Sequence, residues 1–459
     1  MKISRISLLA LMFAISGHIS SAQTVQTIFS FGNGGYYGMK PWTLTLGNDG
    51  NFYGTTEQGG SYINYQILGY GTVFKVTPTG TLTSLISFGP YEYTGAGLTL
   101  GNDGNFYGAT LRGGSSSHGR IFKMLPTGAL TTLVSFNITN GANPSSSLTQ
   151  DSDGNFYGMT DSGGITNLSN PSGYGTVFKV TTNGTLTTLV AFNGSNGSFP
   201  KGGLTQGNDG NFYGATVNGG SSGYGTLFKM TTNGTLTTLV SFSNTNGANP
   251  SSALTLGSDG NFYGTTEQGG ITNSTYPSGY GTVFKVTTNG ALTTLAFFNG
   301  TNGRQPEAAL TLGYDGRFYG TTAYGGSSGA GTIFKVTTNG TLTTLISFNI
   351  TNGQNPVAAL TMGPDGNFYG TTGLGGSDGY GTIFVLSLPP PPQLTITRSS
   401  SNIILTWPTN TAGFALQSTT NLVSPAVWIT NSPTPTIVNG QNTVTNPISG
   451  TRNFYRLSQ

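Results

Sequence analysis

The most regular stretch of the sequence, residues 254–298, reads LTLGSDGNFYGTTEQGGITNSTYPSGYGTVFKVTTNGALTTLAFF. Apolar residues alternate with threonine in several short runs, and this period of two is typical of β-strands. The dipeptides Asp259-Gly260 and Asn289-Gly290 stand between runs, where a tight hairpin needs a positive φ angle. The stretch therefore predicts four short strands joined by turns.

The same unit occurs seven times along the chain. Each copy carries an Asp-Gly dipeptide followed by Asn or Arg and then Phe-Tyr-Gly, and the aspartates are Asp49, Asp103, Asp153, Asp209, Asp259, Asp315 and Asp365. Four strands in a repeat of about 40 to 50 residues are typical of one blade of a β-propeller. We interpret these aspartates as structural turn residues, because one carboxylate per turn is too few for a calcium loop.

The two ends of the repeat region complement each other. The seventh repeat stops after its third strand, whereas residues 24–31 (TVQTIFSF) match the fourth strand of the sixth repeat, residues 341–348 (TLTTLISF). We therefore predict an all-β fold in which residues 23–388 form a seven-bladed β-propeller closed by the N-terminal strand. Such closure would hide sheet edges that promote aggregation. An open solenoid is the alternative, but it does not explain the displaced strand.

The first 22 residues have the pattern of a cleavable signal peptide. Lys2 and Arg5 precede an apolar run over residues 6–15, and Ser20-Ser21-Ala22 offers small residues for cleavage. The run is shorter than the roughly 20 residues that span a bilayer, so we expect no membrane span, with a membrane tether as the alternative. This pattern predicts a secreted or cell-surface protein.

The composition excludes several classes of protein. The 459 residues include 74 glycines and no cysteine, so disulfide frameworks and thiolate metal sites are excluded. Charged residues make up only 7%, and losing Lys2 and Arg5 would lower the formal charge from +3 to +1. No basic surface remains that would indicate nucleic-acid binding.

The composition changes at the four prolines of residues 389–392, which favour a stiff linker. Beyond them, residues 393–459 predict a small Ig/fibronectin-like β-sandwich, with strands over residues 394–408, 413–418, 427–431 and 452–457. Trp407, Trp428 and Tyr455 are its expected core. The segment resembles fibronectin-like modules at the C-termini of exported bacterial proteins.

The repeated unit DGNFYGTT, with its Gly-Gly loop, GTVFKV and LTTL runs, resembles the GloVer tandem repeat of secreted bacterial proteins. The resemblance covers residues 24–388. It implies an exported, propeller-like protein and brings no established activity with it.

Three acidic residues share one repeat position, directly after the second strand. These rim acids are Glu57, Asp161 and Glu267, in the repeats that also have the longer following loop. One interpretation is a two-blade duplication that kept both features without use. The other is that the three carboxylates, on one rim of the ring, contact a cation or sugar hydroxyls.

Irregular aromatic residues cluster in loops on the same predicted face. With two acids they form the predicted binding set Tyr36, Tyr37, Trp42, Glu57, Tyr62, Tyr65, Tyr91, Glu92 and Tyr93. Aromatic faces with a few polar groups suit stacking on sugar rings or a protein hot spot. The alternative is that these rings pack over the closure seam.

The sequence favours a binding function over catalysis. After residue 22 the only histidine is His118, so the sequence offers too few histidines for a histidine metal site and only one candidate for a Ser-His-Asp triad. We expect an exported, non-enzymatic scaffold that contacts a glycan or a surface protein, without cofactor, bound metal or catalytic residues. A polysaccharide hydrolase or lyase using acids on that face, and a purely structural surface component, are the alternatives.

Overall fold

The computed structural model describes residues 23–32, 37–60, 62–63, 66–67, 70–388, 393–409, 415–420, 428–430, 434–448 and 453–458. Over these residues the fold is all-β, and the one helical element is a 3-10 turn at Ile138–Asn140. Within the same ranges, no helix has the length and apolarity that crossing a membrane requires. The predicted signal peptide and proline linker lie outside the described residues.

The described residues before the proline linker form thirty strands. They are β1 (Val25–Ser30), β2 (Met39–Leu46), β3 (Phe52–Gln58), β4 (Tyr62–Ile63), β5 (Gln66–Ile67), β6 (Thr72–Val76), β7 (Leu82–Ser87), β8 (Thr99–Leu100), β9 (Phe106–Thr110), β10 (Arg120–Met124), β11 (Leu130–Ser135), β12 (Thr149–Gln150), β13 (Phe156–Thr160), β14 (Thr176–Val180), β15 (Leu186–Ala191), β16 (Thr205–Gln206), β17 (Phe212–Thr216), β18 (Thr226–Met230), β19 (Leu236–Ser241), β20 (Thr255–Leu256), β21 (Phe262–Thr266), β22 (Thr282–Val286), β23 (Leu292–Phe297), β24 (Thr311–Leu312), β25 (Phe318–Thr322), β26 (Thr332–Val336), β27 (Leu342–Ser347), β28 (Thr361–Met362), β29 (Phe368–Thr372) and β30 (Thr382–Leu386).

These strands form seven four-stranded antiparallel sheets, so the predicted four strands per repeat are present. Sheet 1 has the order β2-β3-β6-β7, and sheets 2 to 6 are the consecutive groups β8 to β11, β12 to β15, β16 to β19, β20 to β23 and β24 to β27. Sheet 7 has the order β28-β29-β30-β1, so its fourth strand comes from the N-terminus. β4 and β5 pair as a separate two-stranded antiparallel sheet between β3 and β6.

Turn residues with special backbone angles keep the register of each sheet. Gly260 has φ of 76° and Gly290 has φ of 91°, in the region that favours glycine. Between them, β21 and β22 pair from Phe262↔Val286 to Thr266↔Thr282 without interruption. The Asp259-Gly260 turn thus joins β20 to β21, and the Asn289-Gly290 turn joins β22 to β23, where the sequence places them.

The core lies between neighbouring sheets. In each second strand the Tyr of Phe-Tyr-Gly packs against the Phe of the adjoining sheet, as Tyr213 does on Phe262 with ring centroids 4.1 Å apart. Seven such contacts occur, with separations of 4.0 to 4.7 Å, and one of them joins Tyr369 of sheet 7 to Phe52 of sheet 1. Each sheet therefore buries both faces, as blades of a propeller do.

A parallel series of hydrogen bonds links the first strands of successive sheets. Thr45 Oγ1 donates to the Leu98 carbonyl over 2.6 Å, and the equivalent bond recurs from each sheet to the next. The last bond of the series runs from Thr361 Oγ1 of sheet 7 back to the Leu44 carbonyl of sheet 1, also over 2.6 Å.

The chain after the proline linker forms two further sheets. Their strands are β31 (Thr395–Ser399), β32 (Asn402–Pro408), β33 (Ala415–Thr419), β34 (Ile429–Thr430), β35 (Thr436–Val438), β36 (Gln441–Pro447) and β37 (Phe454–Ser458). The sheets have the orders β31-β32-β36-β35 and β34-β33-β37. The single strand predicted for residues 394–408 is wrong, because residues 400–401 turn the chain into a β31–β32 hairpin. Neither β35 nor β36 was predicted.

The expected core residues of this region differ in their surroundings. Trp407 is fully buried in a cluster with Leu405, Leu416 and Val444, and Tyr455 packs against that cluster. Trp428 instead lies under the Arg456 guanidinium, 4.2 Å from its ring centroid. The cluster joins residues of both sheets.

Candidate functional site

Two adjoining cavities bring together several of the predicted residues. The first, of about 480 Å³, is lined by Trp42, Glu57, Tyr93 and Asp161 together with Thr94, Gly95, Leu111, Arg112 and Asn143. The second, of about 310 Å³, is lined by Trp42, Glu57 and Glu307 together with Lys40, Pro41, Tyr324, Asn355, Val357, Gly373 and Leu374. Trp42 and Glu57 line both, and we call the two cavities together the Trp42 depression.

The repeat places two positions side by side at this depression. One is the rim position, occupied by Glu57, Leu111, Asp161, Val217, Glu267, Ala323 and Gly373. It directly follows the second strand except in sheet 1, where Glu57 lies within β3. The other follows the proline that precedes the first-strand Leu-Thr motif in six repeats, and its residues are Trp42, Ser145, Lys201, Ser251, Glu307 and Val357. The second repeat has Thr94 in place of the proline and Gly95 at this position. The residue before the proline accepts a backbone bond from the rim residue, as Asn143 does from Asp161 over 3.1 Å. This bond brings the two positions together in sheet after sheet.

The three rim acids have different neighbours among the described residues, although Lys201 acts on both Asp161 and Glu267. Glu57 and Asp161 line the first cavity of the Trp42 depression, whereas Glu267 interacts electrostatically with Glu307 and Lys201. Burial raises the pKa of Asp161 and of Glu267, and the positive charge of Lys201 opposes both shifts. The side chain of Asp161 also accepts a hydrogen bond from Ser162 Oγ over 2.9 Å.

Glu307 has the most perturbed carboxyl group of this region. Burial, strengthened by the negative charge of Glu267, raises its pKa to about 7, against the opposing influence of Lys201. A carboxyl with this pKa is protonated in part of the molecules at neutral pH, and it can then donate as well as accept a hydrogen bond.

Several polar atoms in this region are buried without a partner. Trp42 Nε1, Ser145 Oγ and Ser251 Oγ have no hydrogen-bond partner within the described part of the chain. All three belong to the position that follows the proline, and Trp42 lines the depression itself. An unsatisfied buried donor costs free energy that a ligand or ordered water can recover.

The other predicted binding residues are divided between the depression and its surroundings. Tyr93 lines the first cavity and lies 5.7 Å from the Arg112 guanidinium, measured to the ring centroid. Tyr91 is 67% exposed and packs on Tyr70, while Tyr37 meets Phe29 edge to face. Tyr36 and Tyr65 lie outside the described residues, and Tyr62 is described in its backbone alone, as part of β4.

Glu92 is engaged away from the cavities that Glu57 lines. One of its carboxylate oxygens is 3.0 Å from Arg120 Nη2, and the other accepts a bond from the Gly89 amide. The ion pair of Glu57 among the described residues is a long one, to Lys40 Nζ at 3.9 Å. The first cavity is therefore lined by Trp42, Glu57 and Tyr93 of the predicted set, whereas the Glu92 carboxylate is paired with Arg120.

The turn aspartates make contacts within their own repeats. Asp153 Oδ1 accepts from the Asn155 amide, and its Oδ2 accepts from Asn155 Nδ2, from the Tyr157 hydroxyl and from Lys179 Nζ, the last over 2.8 Å. The same lysine contact occurs at Asp49, Asp103, Asp209 and Asp259, whereas Asp315 pairs with Arg317. In these five repeats the carboxylate thus joins its turn to the second and third strands.

The sequence analysis missed Lys201 and Glu307 as members of the site. Both directly follow the proline of a loop, at Pro200 and Pro306, where the other repeats have Trp, Ser, Gly or Val. A comparison of that repeat position would have revealed them, because charged residues occur there in two repeats alone. Among the described residues, no group of three or more His, Asp or Glu is arranged to hold a metal ion, so we assign no metal ligands.

The raised pKa of Glu307 predicts how stability depends on pH. Because the folded protein holds this proton more tightly than the unfolded chain, the group makes the free energy of unfolding fall as pH rises from about 4.5 to 7. We expect Glu307→Gln to raise the free energy of unfolding at pH 8 by roughly 1–3 kcal/mol, with little difference at pH 4.5. Denaturant titrations at both pH values measure this.

Glu92→Gln is the control for that experiment. Its carboxylate forms an ion pair with Arg120, so the change should lower stability at pH 8. A Glu307→Gln variant that is also less stable at pH 8 would contradict the assigned protonation.

Comparison with known proteins gives the family of the chain and little about its activity. A search of curated proteins found no match. Solved structures with some likeness include a gluconolactonase from Xanthomonas campestris (11% identity, 80% of this chain and 90% of that one, TM-score 0.41). Others are a candidate 6-phosphogluconolactonase from Bacteroides fragilis (17%, 92% and 98%, TM-score 0.46) and a puromycin hydrolase (12%, 82% and 59%, TM-score 0.49). With TM-scores below 0.5, nothing about reaction or ligand follows from them.

The family match, by contrast, extends over most of the sequence. Residues 17–170, 164–275 and 270–414 each match the model of one repeat family, so the predicted resemblance is confirmed for the repeat region. The fibronectin-like character of the C-terminal segment stays a prediction. The chain belongs to the Gloeobacter/Verrucomicrobia repeat family.

Proposed function

We propose that the seven sheets are the blades of a closed propeller and that the N-terminal strand completes the seventh blade. Three observations support closure. β1 pairs with β30 from Val25↔Leu386 to Ser30↔Thr382, Tyr369 stacks on Phe52, and Thr361 is hydrogen-bonded to Leu44. The rim positions would then surround one opening, with the Trp42 depression at its mouth.

We propose that the protein is exported through a cleaved signal peptide and binds a glycan of its surroundings at the Trp42 depression. The observation that carries this proposal is the Trp42 indole, whose buried Nε1 lacks a partner among the described residues while Glu57 lines the same cavities. An aromatic ring beside carboxylate and amide groups suits stacking on a sugar ring and hydrogen bonding to its hydroxyls. The C-terminal sheets would serve as an attachment module or spacer.

A glycan array with the full mature chain tests the binding site. We expect Trp42→Ala to weaken binding by at least about tenfold, because stacking and hydrogen bonding are both lost. Trp42→Phe should keep part of the affinity. Tyr224→Ala is the matched control, since Tyr224 is an exposed aromatic that lines neither cavity.

Thermal unfolding of each variant shows whether a loss of binding reflects a loss of fold. Equal binding by the parent and by folded Trp42→Ala would remove the proposed site. Binding to a surface protein at the same residues, with no glycan bound, would keep the site and change the partner.

A polysaccharide hydrolase is the second candidate function. Glu307, with a pKa of about 7, and Glu57 line one cavity, and glycoside hydrolysis commonly uses one protonated and one ionised carboxyl group. Turnover of a polysaccharide panel that Glu307→Gln abolishes while binding persists would favour catalysis. A protein that neither binds nor cleaves any glycan would instead fit the purely structural role.

A further inference from the structure

A second pocket lies beside the Trp42 depression. It has a volume of about 250 Å³, and its lining includes Tyr276, Ser278, Arg304 and Gln305. Tyr324 connects the two places, because it packs on Arg304 and also lines the second cavity of the depression. We call this space the Arg304 pocket.

The guanidinium of Arg304 is held in place by neutral groups. Its Cζ lies 4.8 Å from the ring centroid of Tyr276 and 4.5 Å from that of Tyr324. Its Nη1 donates to Gln305 Oε1 over 3.0 Å. Within the described ranges Arg304 has no carboxylate within 4.0 Å, whereas Arg120 and Arg317 each have one. A guanidinium has five N–H donors, so it keeps donors for a further acceptor.

Hydrogen bonds hold the two segments that carry Tyr324 and Tyr276 beside Arg304. Arg304 and Tyr324 exchange both backbone hydrogen bonds, over 2.9 and 3.2 Å. In the long loop that carries Tyr276, Asn273 Oδ1 accepts from the amides of Thr275 and Tyr276. The site therefore needs little ordering on binding, and this favours affinity.

Arginine is peculiar to this repeat. The residues that form the same bridge in other repeats are Ala142, Ser198, Ala248 and Gln354. The repeat architecture thus does not require a cation at this place. Arginine suits bidentate contacts with planar anions, and tyrosine faces hold its guanidinium in position.

We propose that the Arg304 pocket binds the anionic substituent, a carboxylate or a sulfate, of an acidic glycan whose neighbouring sugar occupies the Trp42 depression. This inference rests on the proposed glycan binding and names the class of glycan. The carboxylate or sulfate accepts hydrogen bonds from the guanidinium, and Ser278 offers a further polar group in the pocket.

Calorimetric titration of the full mature chain tests the inference. The probes are a uronic acid oligosaccharide, its methyl ester, a sulfated oligosaccharide and a neutral one. We expect the parent to bind the uronic acid oligosaccharide or the sulfated oligosaccharide about tenfold more tightly than the methyl ester and the neutral oligosaccharide. The last two probes lack the charge-assisted hydrogen bond to the guanidinium. Arg304→Gln should bind all four alike, and Arg304→Lys should keep part of the preference. The charged chain that binds better identifies the anion.

The outcomes separate this inference from the proposed function. A preference for charged chains that persists in Arg304→Gln overturns the pocket, and so does equal binding of all four chains by the parent. In the second case, binding that Trp42→Ala weakens still supports the proposed function. An Arg304-dependent preference that Trp42→Ala leaves unchanged supports the pocket and overturns the Trp42 site. Failure to bind any of the four chains overturns both.

Discussion

Replacing Phe31 with alanine is expected to lower the free energy of unfolding by roughly 3–5 kcal/mol, the cost of removing a large ring from a packed core. Phe31 follows β1 and is fully buried, and its ring lies 5.6 Å from that of Phe74 in sheet 1. Its amide donates to the Gly381 carbonyl of sheet 7 over 3.0 Å. Phe31 thus contributes to the interface between the first and last sheets.

Phe192→Ala is the matched control for this change. Phe192 is also fully buried, lies 5.5 Å from Phe228 and donates its amide to Gly175. If the ring is closed, both variants should lose similar stability in denaturant titrations. A much smaller loss for Phe31→Ala would indicate an open end at sheet 7 and would favour the solenoid.

Deleting residues 23–31 should expose the edge of β30 and cause aggregation.

Acid should unfold the protein steeply between about pH 4 and pH 2, because six turn aspartates have lowered pKa values, namely Asp49, Asp103, Asp153, Asp209, Asp259 and Asp365. At Asp153, partial burial opposes ionisation, but the hydrogen bonds from Lys179 and Asn155 outweigh it and lower the pKa to about 2. A folded pKa below the unfolded value means that stability is present above pH 4 and is lost as these groups are protonated. Melting temperatures across this range measure the effect.

Two lysine variants test whether the aspartate pairs cause that loss. Lys179→Met should lower the free energy of unfolding at pH 7 by up to about 1 kcal/mol, since solvent screens so exposed a pair, and should have little effect at pH 2. Lys335→Met is the matched control, because Lys335 pairs with Tyr319 across the strands as Lys179 does with Tyr157, while Asp315 bonds to Arg317. Equal losses in both variants at pH 7 would contradict a role for the ion pair.

The sequence predicted the regular part of the molecule because that part depends on local contacts. The all-β class, the four strands per repeat and the repeat family are confirmed. Alternating residues and Asp-Gly turns act over a few positions, and each recurs often enough to be recognised. The hairpin β31–β32 escaped prediction because its turn at Ser400-Ser401 lacks glycine and proline.

The candidate site could be predicted only in part, since its residues come from different sheets. The repeat position shared by Glu57, Asp161 and Glu267 was visible in the sequence, as was the aromatic Trp42. The influence of Lys201 on Asp161 and Glu267, and of Glu267 on Glu307, was not visible, because it depends on which neighbouring sheet supplies the facing residue.

By itself, the sequence determined the repeating strands, their turns and the match of residues 24–31 to a missing fourth strand. Only the tertiary structure decided that Glu307 lies near Glu267 and Lys201, and that Tyr276 and Tyr324 enclose Arg304. The physical reason is the sequence distance over which the deciding interactions act. Strands and turns follow from hydrogen bonds and side chains within one repeat, whereas the charge and accessibility of a group in the site depend on the packing of sheets distant in sequence.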